Sequence, residues 1–138
     1  MKFDNKEFKD KKVNVSILSD VEDPIEDVND YLALKIIAEL EMELYDEDFP
    51  ESFKGVAICN DEDKYDSNKG RMIAENKASI KYHNAMTRRY HKYINTLRKI
   101  IPILEKRSAY HATKLTNLDC KNVALGYPEA ASNANIEE

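Results

Sequence analysis

Glycine is scarce, with three residues in 138, and tryptophan is missing altogether. So few glycines leave no Gly-rich loop to cradle a phosphate, and no serine sits in a G-x-S-x-G turn. The two cysteines, Cys59 and Cys120, make neither a disulfide framework nor a C-x-x-C pair. A buried apolar role is expected for both. The three histidines, His83, His91 and His111, are spaced too widely to chelate a metal from one helical face. The acidic stretch from Asn60 to Gly70 has the composition of a calcium loop, but Tyr65 and Asp66 stand where that loop needs an oxygen ligand and a glycine. No catalytic residue, cofactor site or metal site is expected, and the chain reads as a non-enzyme. No apolar run is long enough to span a bilayer. The first twelve residues, MKFDNKEFKDKK, lack the apolar core of a signal peptide. A reducing, cytoplasmic setting without membrane contact is the expectation.

What is abundant is charge, and it is segregated. Residues 1–66 hold 20 acidic and 8 basic side chains, whereas residues 67–121 hold 3 acidic and 13 basic ones. The basic half reads as one long helix from about Asn68 to His111. Tyr90, Ile94, Leu97, Ile101 and Leu104 follow each other at steps of 4, 3, 4 and 3, and Ile73 and Ile80 extend that stripe upstream. A second stripe (Met72, Tyr82, Met86, Tyr93, Ile100) runs beside it. Two adjoining stripes suggest two packing neighbours, the rest of the chain and a second copy, hence a homodimer. Lys77, Lys81, Arg88, Lys92, Lys99 and Lys106 form a basic face on the same helix. The acidic half offers Asp46, Glu47, Asp48, Asp61, Glu62 and Asp63 as a candidate acidic face. The simplest expectation is that the acidic half neutralises the basic helix, within one chain or across a dimer.

Residues 1–12 lack a sustained apolar face and are expected to be a mobile charged arm. Val13, Val15 and Ile17 alternate with Asn14 and Ser16, which predicts a short strand with the aliphatic residues on its buried face. Asp23 and Pro24 open a helix that should run to about Tyr45. Phe53–Cys59 predicts a second strand, apolar enough to be covered on both faces. Asp66 or Ser67 caps the long helix, Pro102 should kink it, and it should fray between Tyr110 and Lys114. The segment from Leu115 to Tyr127 could lie along the core. The fold expected is α+β and helix-rich: a small two- or three-stranded sheet packed on a medium helix and one long kinked C-terminal helix. It should form a single domain over residues 13–127, with a disordered tail at 128–138.

Residues 53–82 carry Gly55, Ala57, Cys59, Asp63, Tyr65, Asp66, Gly70, Ile73, Ala74, Lys77 and Ala78 in the order G-x-A-x-C-x-x-x-D-x-(F/Y)-(D/N)-x-x-x-G-x-x-(I/L)-A-x-x-(R/K)-A. This resembles a segment that recurs in small uncharacterised bacteriophage proteins, and it covers about thirty residues. The resemblance implies a phage origin, action in the host cytoplasm and a strand–loop–helix unit, and it brings no activity with it. The function expected is a phage-type binding protein that inhibits a bacterial defence system, by contact with a host protein or by sequestering a small signalling nucleotide. A virion assembly or accessory part is one alternative. A nucleic-acid-binding module using the basic face is another.

Overall fold

The computed structural model describes residues 1–43 and 48–126 and has the α+β, helix-rich architecture. Three strands, β1 (Lys2–Phe8), β2 (Val13–Ser19) and β3 (Phe53–Ile58), form one antiparallel sheet in the order β1-β2-β3. The N-terminal arm is thus a strand, paired with β2 along its whole length from Lys2↔Ser19 to Phe8↔Val13. Backbone pairing holds it, helped by Phe3 against the core and by Asn5 donating to Glu75 Oε1 at 2.9 Å. A 3-10 turn at Lys9–Lys11 joins the two strands, closed by Lys12 in the left-handed region at φ 53°.

Paired residues share a face in an antiparallel ladder. Asn14, Ser16 and Leu18 therefore lie with Ala57, Gly55 and Phe53. All six are buried. The strand β2 was expected to bury Val13, Val15 and Ile17, and it does the reverse. Those residues line the outer face, where Ile17 and Ile58, the partner of Val13, are exposed. In β3, likewise, only Phe53, Gly55 and Ala57 are buried, so one face is covered rather than two.

The helix expected from Pro24 onward is two helices, α1 (Pro24–Asp27) and α2 (Tyr31–Glu43). Asp23 caps the first, accepting from Glu26 N at 2.9 Å. Val28 turns extended, and Asp30 starts a new helix by accepting from Ala33 N at 2.9 Å. The second cap supplies the hydrogen bond that a break would otherwise leave unmade. The long helix, α3 (Ser67–Ala124), is capped by Asp66, which accepts from Asn68 N and Lys69 N. It continues through Pro102 and past the expected fraying point to Ala124.

The described chain divides into two compact units at Ile94/Asn95. The first holds the sheet, α1, α2 and the start of α3. Its core joins Leu18 and Phe53 to Ala78, Tyr82 and Met86, with Phe49 and Phe53 in edge contacts with the Tyr82 ring. Each large apolar side chain so covered stabilises by about 1.5–3 kcal/mol. The face of α3 that does this is Ala74, Ala78, Tyr82, Met86 and Tyr93, with Arg89 between them. The stripe expected to be core is not: Ile73, Ile80, Ile94, Leu97, Ile101 and Leu104 are all exposed, and so are Met72 and Ile100 of the second stripe. The reason is the close approach at Ala74 and Ala78, which turns their side of the helix to the sheet. The second unit is α3 from Asn95 onward. Three bonds close its last turn, from Leu125 N to Lys121 O and Asn122 O and from Gly126 N to Val123 O. The acidic positions Asp46 and Glu47 and the tail 128–138 lie outside the described residues.

Candidate functional site

The strand–loop–helix segment 53–82 is a frame. A Cβ on Gly55 would stand 1.9 Å from Ala74 O and 2.6 Å from Ala78 N, so only glycine lets α3 sit this close. Ser16, paired with Gly55, is fully buried and small for the same tight interface. A Cβ on Gly70 would lie 2.2 Å from Asn14 Nδ2. That amide donates to Tyr65 OH at 3.1 Å, and the phenol donates to Glu7 Oε1 at 2.6 Å. The phenol bond holds the Glu7 carboxyl below its usual range and pushes the Tyr65 phenol up. Cys59 is half-buried, with Sγ bonded to Asn60 O and Asp63 O, whereas Cys120 is exposed rather than buried.

The six predicted basic residues have different surroundings. Lys77 Nζ donates to Val56 O at 3.0 Å and Lys81 Nζ to Lys54 O at 2.6 Å. β3 is an edge strand, and these two lysines occupy carbonyls that would otherwise invite another strand. Arg88 and Lys92 line a hollow of about 350 Å³ beside Asp48 and Phe49. Lys99 and Lys106 belong to the second unit.

The predicted acidic residues are also divided. Asp61, Glu62 and Asp63 are in the turn after β3, and Asp63 borders a cavity of about 440 Å³ at the start of β2, beside Lys12, Asn14 and Tyr65. Asp48 borders a cavity at the other end of β2, of about 990 Å³ and open to solvent. Asp20, Asp23, Glu26, Glu41 and Glu51 share that wall, and among the described residues no lysine or arginine lines it. Sequence reasoning missed these five. The excess of acid in residues 1–66 was the available signal, but only the fold gathers side chains from Asp20 to Glu51.

Three of these carboxylates serve the frame. Asp23 and Glu26 form the capping box of α1. Glu41 accepts from Arg89 Nη1 at 3.1 Å and from the Tyr93 phenol. Arg89 is 5 % exposed, the one buried cation among the described residues, and its pairing with Glu41 satisfies a charge that burial would otherwise penalise. Nearby, the Tyr90 phenol donates to Asp27 Oδ2 at 2.8 Å. Burial first, and the Asp27 bond second, push it up to about 12. Asp20, Asp48 and Glu51 make none of these bonds. Asp20 sits in the left-handed region at φ 53°, a conformation that aspartate tolerates better than most residues.

Among the described residues, no three of the His, Cys, Asp and Glu side chains are placed to hold a metal ion. No described helix is long and apolar enough to cross a membrane. No protein-family model matches the chain, and no curated protein or solved structure is significantly similar to it.

Proposed function

We infer that the protein is a non-enzymatic, phage-type binding protein that inhibits a bacterial defence system by occupying a cationic surface of a host protein. The supporting observation is the open cavity of about 990 Å³, walled among the described residues by six carboxylates and no cation. Such a wall lowers the local potential and attracts lysine- and arginine-rich surfaces, the kind that hold nucleic acid. The same wall repels the phosphates of a signalling nucleotide, which favours protein contact over ligand sequestration at this cavity. Nucleic-acid binding by the basic face is weakened as a rival, because Lys77 and Lys81 are bonded to β3.

The test is phage plating on bacteria that each carry one defence system and express the protein. The wild-type chain should restore plating against a susceptible system. Asp20→Asn/Asp48→Asn/Glu51→Gln, expressed at the same level, should not. Equal rescue by both proteins, or no rescue by either, would reject the proposed role.

A further inference from the structure

Every large apolar side chain from Leu97 to Leu125 is exposed. A helix draws most of its stability from burying an apolar stripe, so this one lacks its main support. Six of these ten side chains form one pattern, with Ile100, Ile103, Tyr110 and Val123 off it. Leu97, Ile101, Leu104, Leu115, Leu118 and Leu125 fall on one run of alternating four- and three-residue steps. Ser108 and His111 fill the run between Leu104 and Leu115, and Asn122 fills it before Leu125. This is the two-per-heptad spacing of a coiled coil. Ile101, Ser108, Leu115 and Asn122 take position a, and Leu97, Leu104, His111, Leu118 and Leu125 take position d.

We propose that a second copy of this chain covers the stripe, the two segments from Leu97 to Leu125 forming a parallel, in-register two-stranded coiled coil. A heptad seam is complementary to itself, and this selects the occupant. The flanking charges select the direction. In a parallel pair, position g of one helix faces position e of the next heptad of the other, which sets Lys114 opposite Asp119. In an antiparallel pair, g faces g, and the set Arg107, Lys114 and Lys121 would confront the same cations of the other chain. The seam's polar residues agree. In register, Asn122 meets Asn122 at an a layer, an arrangement that favours two strands in one register. Pro102 takes position b, off the seam, where its missing N–H and its ring do not meet the other helix. The inference rests on this segment of α3 and is independent of the acidic cavity.

Sedimentation equilibrium of the full chain, from low to high micromolar, tests it. The expected mass is twice 16.0 kDa. Leu104→Asp/Leu118→Asp should give a 16.0 kDa monomer that keeps the cooperative unfolding of the first unit. Should that variant fail to fold, His111→Leu is an independent arm, because it adds an apolar d residue and should tighten the dimer several-fold. Lys114→Glu should weaken the dimer, and adding Asp119→Lys should restore it. Asn122→Cys, placed in a Cys59→Ser/Cys120→Ser background, should cross-link on mild oxidation. A wild-type monomer at every concentration, a dimer indifferent to the Asp pair or to His111→Leu, tightening by Lys114→Glu, or failure of Asn122→Cys to cross-link would each overturn the proposal.

Discussion

Gly55→Ala is the sharpest probe of how α3 meets the sheet. The added methyl carbon would lie 1.9 Å from Ala74 O, and ordinary contact begins at 3.4 Å, so α3 must retreat by about 1.5 Å. No rotamer change can relieve this, because the obstacles are the backbone atoms Ala74 O and Ala78 N. The retreat would loosen the contacts that bury Ala78, Tyr82 and Met86 against Leu18 and Phe53. Overpacking of a core costs about 1–3 kcal/mol, and backbone obstacles place this case at or above the upper end. Alanine recovers about 0.5–1 kcal/mol over glycine in a strand interior. The net loss should be about 2–3 kcal/mol, which for a unit of this size is a fall in Tm of roughly 8–24 °C. Urea unfolding followed by circular dichroism measures it. Ile58→Ala, on the exposed outer face, is the control and should stay within about 0.5 kcal/mol of wild type. If the Gly55→Ala midpoint coincides with that of the control, α3 does not approach β3 as described.

Tyr65→Phe removes the phenol between Asn14 and Glu7 and should lower the unfolding midpoint. A carboxyl held low in the folded state contributes stability above its unfolded pKa, and that stability is lost as pH falls through the folded value. The variant should therefore lose less stability than wild type between about pH 6 and pH 3, and parallel acid curves would count against the bond. At the alkaline end, Tyr82, Tyr90 and Tyr93 are all pushed up, chiefly by burial, Tyr90 to about 12. Groups raised in this way stabilise fully below the unfolded value near 10 and lose that contribution as pH rises through the folded one, so stability should decline from about pH 10 upward. A flat urea midpoint from pH 9 to about 12 would contradict burial of these rings. Lys77→Ala/Lys81→Ala uncovers the Val56 and Lys54 carbonyls of the edge strand. Light scattering should rise faster than for Lys99→Ala/Lys106→Ala, and equal rates would remove the protective role assigned to these lysines.

Local chemistry carried the parts of the fold that were legible in the sequence. The Asp23-Pro24 start, the Asp66 cap and the Phe53 strand each depend on residues a few positions apart, and each stands where it was expected. What failed depended on distant partners. β1 has few apolar residues and exists because β2 lies beside it. The alternation of Val13, Val15 and Ile17 pointed to the wrong face, because Asn14 and Ser16 are buried by a Tyr65 phenol and a Gly55 backbone about forty to fifty residues away. On α3, the largest aliphatic residues drew attention to the stripe through Leu97. The inward face instead begins with Ala74 and Ala78, whose value lies in how little space they take. The candidate cavity was visible only as an acidic excess, since five of its six carboxylates are scattered from Asp20 to Glu51.

The most direct measurement titrates the purified chain, at physiological salt, with two labelled probes: an arginine-rich peptide and a short DNA duplex. Fluorescence anisotropy should show saturable binding of the peptide that Asp20→Asn/Asp48→Asn/Glu51→Gln weakens at least tenfold, and no saturable binding of the duplex. Tight duplex binding would contradict the account, if it fell with salt at a log–log slope of about −0.9 per phosphate contact and vanished in a stably folded Lys81→Glu/Arg88→Glu/Lys92→Glu variant.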